Sequence, residues 1–109
     1  MATDIRTVLV TASDMERAEA LARTLMDERL AACVNLVPRI VSIYRWNDQV
    51  QRDDEVLMVM KTTADGVDAL RRRVVELHDY EVPEVLVLAV EAGHEPYLRW
   101  VEEEVRRGA

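Results

Sequence analysis

An α+β domain of the ferredoxin-like kind, βαββαβ with one further helix at its end, is the fold this sequence predicts. Short β-rich apolar runs alternate with segments whose apolar residues recur every three or four positions. Two of the runs, 33–46 and 55–62, follow one another across a polar stretch with no helical pattern between them, which predicts an antiparallel hairpin. The length, 109 residues, supplies one domain with one sheet and little material for an inserted subdomain.

Thr7-Val8-Leu9-Val10 is the first strand, and Ser13 followed three residues later by Glu16 reads as a capping box that opens a helix. Met15, Ala18, Leu21, Ala22, Leu25 and Met26 give that helix a buried face, and it ends near Arg29. A long extended segment then runs from Cys33 to Trp46. Pro38 inside it has no N–H for a ladder, so a bend, a bulge or an edge position is expected there. The polar residues 47–54 form the hairpin connection back into the strand 55–62. A second helix spans about 65–78 with Val67, Leu70, Val74 and Leu77 on one side. After Pro83 a strand covers 84–91, and Gly93 with Pro96 resets the chain for a last helix carrying Tyr97, Leu98, Val101 and Val105.

Val56–Met60 and Val85–Val90 are apolar at every position, the pattern of strands covered on both faces. Two helices account for one face, and one short helix is left for the other. Other copies of the chain are expected to complete the cover, which predicts a homo-oligomer.

The 21 acidic and 14 basic residues leave a net charge of −7, which argues against phosphate backbones and anionic lipid as partners. The basic clusters Arg71-Arg72-Arg73 and Arg106-Arg107 sit in helical patterns that also carry acids and read as solvated faces. The single cysteine, Cys33, rules out an intramolecular disulfide. The start, Met1-Ala2-Thr3-Asp4, has no charged-then-apolar signal pattern, so a cytoplasmic protein is expected. The longest apolar stretches fall short of the ~20 residues a membrane helix needs.

Among the 14 basic residues one is lysine, Lys61, at the end of the apolar run Val56–Met60. A compact ammonium and a planar guanidinium are poorly interchangeable where space is tight, so Lys61 is a site candidate, against the plainer reading of a leftover lysine in an arginine-rich chain. The connection His78-Asp79-Tyr80-Glu81-Val82-Pro83-Glu84 gathers an imidazole, a phenol and three carboxylates. On spacing alone His78 reads first as a cation at a helix C-terminus. His94 is a solvated loop residue, and Cys33 among Ala31, Ala32 and Val34 has the company of a small core residue. Tyr44 and Trp46, two apart on one strand, share a face suited to packing. No glycine-rich phosphate loop, His-x-x-x-His spacing or nucleophile elbow is present, so neither an enzyme nor an organic cofactor is expected.

Taken in order, Val8-Leu9-Val10-Thr11-Ala12, Leu30-Ala31-Ala32-Cys33-Val34-Asn35, Ser42-Ile43-Tyr44-Arg45-Trp46, Lys61-Thr62, His78 to Glu84 and Tyr97-Leu98-Arg99-Trp100 resemble the CutA family of divalent-cation tolerance proteins over nearly the whole chain. The resemblance implies a ferredoxin-like subunit in a tight homotrimer, similar to PII signalling proteins. It also implies a shared cleft near a subunit boundary built from Cys33, Trp46, Lys61, Thr62, His78, Tyr80 and Glu84. Copper(II) or another divalent cation is the ligand it suggests, with His78 and Cys33 as candidate ligands in a site completed by another subunit. The alternative is a PII-like signalling module whose cleft takes a small anionic metabolite through Lys61. Three departures bear on this. Asp79 stands where the family often has proline, and Asp48 and Gln49 stand where it often has glycine and lysine. Val10 and Leu77 replace a cysteine and a second histidine of copper-binding relatives, so a copied copper site is expected to be incomplete.

Overall fold

A computed structural model describes residues 2–105. The elements are β1 (Ile5–Ala12), α1 (Met15–Asp27), β2 (Cys33–Trp46), β3 (Gln49–Thr63), α2 (Val67–Leu77), β4 (Val85–Ala89) and α3 (Glu95–Glu104), with a single 3-10 turn at Ala64–Gly66 leading into α2. The four strands form one sheet in the order β2-β3-β1-β4. Every neighbouring pair is antiparallel. This is the ferredoxin-like arrangement, in which each helix returns the chain so that the two central strands, β3 and β1, come from different halves of the sequence.

The opening of α1 differs from the expected capping box. Asp14 is the N-cap, its carboxylate accepting the Arg17 N–H at 2.8 Å. A carboxylate here both satisfies an orphan amide and faces the positive end of the helix, and it takes the cap one residue beyond Ser13. The helix closes with Arg29 at φ 58°, while the Leu30 N–H bonds back to the Leu25 carbonyl and the Arg29 N–H to that of Met26. These are the paired bonds of a Schellman ending, made without glycine. Ala18, Leu21 and Leu25 are the residues α1 buries, whereas Met15 and Met26, assigned to the same face by periodicity, are exposed.

The hairpin also departs from expectation. Residues 49–54 are not a connection but the first part of β3, which pairs with β2 from Trp46↔Gln49 onward. The turn is two residues long. Asn47 and Asp48, at φ 51° and 61°, occupy the left-handed region that a type I′ turn requires, and this turn suits the twist of the strands it joins. Between Val37 and Ile40 the register shifts: Pro38 and Arg39 stand against one residue of β3, with Arg39 at φ 56°. That is the bulge Pro38 foretold, on an edge strand.

Strand alternation sends Val8, Val10 and Ala12 of β1 and Val56, Met58 and Met60 of β3 to one face, where α1 and α2 seal them in the main core with Leu70 and Val74. The opposite face is covered at one end alone. There α3 packs Leu98, Val101 and Val105 on Ile5 and Ala32. Beyond its reach, Leu86 and Leu88 of β4 are 52% and 47% exposed in the single chain, and Ile43 in the hairpin is 71% exposed. Among the described residues no helix is long and apolar enough to cross a membrane. The Arg106-Arg107 cluster lies outside the described residues.

Candidate functional site

Four of the predicted cleft residues, Cys33, Lys61, His78 and Tyr80, fall into two groups, set about four residues apart along β1. The first lies at the level of Thr7. Cys33, Lys61 and Thr7 are direct cross-strand neighbours on adjacent strands. The Cys33 thiol and the Tyr97 hydroxyl of α3 are 3.5 Å apart, and the Lys61 ammonium donates to the Asn35 side-chain carbonyl. Partial burial, followed by the thiol contact, pushes the Tyr97 phenol up to about 12. Among the described residues no carboxylate lies within ion-pair reach of Lys61. Thr62, next in sequence, points to the other face and is fully buried, its hydroxyl donating to the Leu30 carbonyl at 2.9 Å. It anchors the turn after α1 and does not share a surface with Lys61.

The second group gathers at the far end of β1. Helix α2 ends at Leu77, and the His78 side chain, 2% exposed, turns inward so that Nε2 lies 2.7 Å from the Thr11 carbonyl. A carbonyl can only accept, so Nε2 carries the proton. Nδ1 in turn accepts the Tyr80 N–H at 3.0 Å. These two bonds define a neutral ring in one tautomer. The Asp79 carboxylate reaches both ways, with Oδ1 3.5 Å from Nδ1 and Oδ2 3.1 Å from the Arg17 guanidinium. Ala12, Leu21, Leu77 and Arg17 line a shallow cavity at this spot.

Tyr80 continues the network. Its ring stands 4.6 Å from that of His78, and its hydroxyl donates to Glu55 Oε2 at 2.6 Å. Glu55 is buried, one residue past the last rung that β3 shares with β1. Desolvation first, then the carboxylate it bonds, holds the Tyr80 phenol well above its ordinary range. Tyr44 sits on the same stretch of hairpin and bonds Asp53. Trp46 is at the hairpin tip and Glu84 is exposed ahead of β4, and neither shares in these bonds. Sequence reasoning had missed Glu55 and Tyr97 as partners. Glu55 did leave a signal, as an acid set directly against an apolar run, whereas the Tyr97–Cys33 approach joins residues 64 apart in sequence and left none.

Four strands in ferredoxin-like order, a helix-sealed face, a half-open face and a histidine–tyrosine–glutamate corner define a small α+β protein of ferredoxin-like fold. Residues 6–104 match the family described as CutA1 divalent ion tolerance protein. The chain belongs to that family. It is 46% identical over 96 residues to the divalent-cation tolerance protein CutA of Thermus thermophilus, covering 88% of this chain and 93% of that one. It is also 46% identical over 99 residues to mouse Protein CutA, covering 91% of this chain but 56% of the longer mouse protein. The crystal structure of CutA1 from Oryza sativa superposes with a TM-score of 0.94 at 39% identity, over 98% of each chain.

Proposed function

We propose that this protein binds copper(II) or another divalent cation as a cytoplasmic homotrimer, with His78 as its principal ligand and binding rather than catalysis as its role. The observation that carries this reading is the orientation of His78. A ligating imidazole is usually fixed by donating its other N–H to a carbonyl or carboxylate, and Nε2–H on the Thr11 carbonyl is such a bond. The other nitrogen, Nδ1, which here accepts the Tyr80 N–H, is then the atom a cation would take, with a carboxylate oxygen 3.5 Å away. Imidazole with carboxylate suits borderline divalent ions. The donor set in one chain is small: among the described residues no three His, Cys, Asp or Glu side chains come together. The remaining positions fall to water or to another copy.

Cys33 enters on those terms. It stands at the level of Thr7, and four residues of strand, roughly 13 Å, separate that level from Thr11 and His78. One ion held by both side chains would therefore draw them from two subunits. The uncovered apolar residues of β4 supply the motive for association, and a lone free thiol suits a reducing compartment. Native mass spectrometry during copper(II) titration tests the reading. A trimer with saturable uptake is expected, lost in His78→Ala and weakened in Cys33→Ser. Gradual, non-saturating adducts on the wild type would sink it.

A second reading rests on Lys61. Its side chain has a neutral amide as partner and faces the half-open side of the sheet, a placement suited to a small anionic metabolite of the kind PII-like modules bind. A metabolite that raises the melting temperature of the wild type and not of Lys61→Ala supports this reading. Equal shifts remove Lys61 from the site.

A further inference from the structure

We infer that the outer hairpin, residues 40–55, is a hinged arm that Tyr80 pins to the body of the fold: the hinge is the bulge at Pro38 and Arg39, and the pin is the Tyr80–Glu55 hydrogen bond. The device is independent of what the protein binds and rests on neither reading of the site.

The sheet changes width at one level. β1 ends its pairing with β3 at Ala12↔Val56, so from Glu55 outward β3 has β2 as its strand neighbour among the described residues and no other. The register shift in β2 falls at the same level, since Val37 pairs with Leu57 and Ile40 with Glu55, which sets Pro38 and Arg39 against Val56. A bulge bends its strand and interrupts the ladder, and beyond this one no third strand stiffens the ribbon. A two-stranded ribbon is marginally stable by itself in water. The order and direction of residues 40–55 therefore depend on what ties them to the body at the hinge.

Tyr80 supplies such a tie. The connection between α2 and β4 is itself fixed to the end of β1 and to α1, with the His78 ring 2.7 Å from the Thr11 carbonyl and the Asp79 carboxylate 3.1 Å from the Arg17 guanidinium. From that base the Tyr80 phenol donates to Glu55 Oε2 at 2.6 Å, on the residue where the arm begins. Glu55 is buried, so the bond is made where water competes poorly. Bonds further out, Tyr44 with Asp53 and Arg52 with Asp54, stay within the ribbon and do not fix it to the body. The pin governs where the arm points its exposed apolar residues, for Val41, Ile43 and Val50 share one side of the ribbon. A ribbon freed at its hinge swings and frays, and fraying is what amide exchange reads.

Amide hydrogen exchange of the full chain, followed at residues 41–54 of the arm and at 8–10 and 58–60 of the core, tests this. The wild type is compared with Tyr80→Phe, with the double variant Tyr80→Phe/Glu55→Leu and with Glu55→Gln. Loss of the phenol is expected to speed exchange in the arm about tenfold, the factor of one hydrogen bond to a charged group, and to leave the core unchanged. The double variant, in which no buried carboxylate is left unpaired, is expected to match Tyr80→Phe. Glu55→Gln, whose side-chain carbonyl still accepts the phenol, is expected to stay near the wild type. Arm rates unchanged in Tyr80→Phe would overturn the pin. So would a return to wild-type rates in the double variant, which would trace the effect to an unpaired charge, and so would an equal rise in the core, which would make Tyr80 a support of the whole fold.

Discussion

The two faces of the sheet are built from the same strands and met by different amounts of protein. One face carries Val8, Val10, Met58 and Met60 under α1 and α2, all at or near zero exposure. The other carries Leu86 and Leu88 with about half their surface open, and α3 covers just the Ile5 end. The closed face holds the main core of the single chain, while the half-open face holds Lys61, Cys33 and the exposed apolar residues of β4. Substitutions should therefore behave differently on each. Leu25→Ala, in the closed core, is expected to cost about 2–5 kcal/mol at any protein concentration. Under the proposed association, Leu86→Ala is expected to lower the urea midpoint by an amount that depends on concentration. A midpoint that is the same at high and low concentration would show that the half-open face stays open in solution.

Adjacent residues on β3 sharpen the same contrast. Thr62 is buried and spends its hydroxyl on the Leu30 carbonyl, whereas Lys61 stands on the opposite side. Thr62→Val keeps the volume and removes the donor, and it is expected to cost about 1–3 kcal/mol, since it breaks a part-buried hydrogen bond to the Leu30 carbonyl. Lys61→Met, one position away, is expected to stay within about 0.5 kcal/mol. Equal losses in denaturant titrations of the two variants would mean that Lys61 too is a structural residue.

Much of this architecture is legible in the sequence, for physical reasons that also explain where the sequence misleads. The helices and central strands follow from periodicity, which reports the burial of one side of an element and worked where burial is one-sided, as in Ala18, Leu21 and Leu25. It overreached at Met15 and Met26, because apolar type does not say how wide the covered stripe is. The hairpin was misread because the polar run 49–54 looks like loop, while the local signal for the turn was the Asn47-Asp48 pair and its tolerance of positive φ. The cleft was legible as a set of residues and not as a geometry. His78 resembled a helix cap, and the fact that its ring points inward depends on the Thr11 carbonyl, which lies 67 positions away. Thr62 shared a motif with Lys61, yet the period-two pleat sends the two apart.

The smallest effect concerns the Cys33 end of the half-open face. Tyr97 titrates at about 12 in the folded chain, above the ordinary 10.0, because its phenol is partly withdrawn from water and lies against the Cys33 thiol. A raised folded pKa favours the fold below the unfolded value, and that contribution is lost as pH climbs from about 10 toward 12. Absorbance at 295 nm should show the step for Tyr97 displaced upward, and Cys33→Ala, which removes the hydroxyl's partner, should bring it part of the way back. Tyr80, held well above its ordinary range by burial and then by its bond to Glu55, should not ionise before the chain unfolds. A single unshifted tyrosine step near 10 in the native protein would mean that neither phenol is held as described, and that the two ends of the sheet do not differ in their access to water.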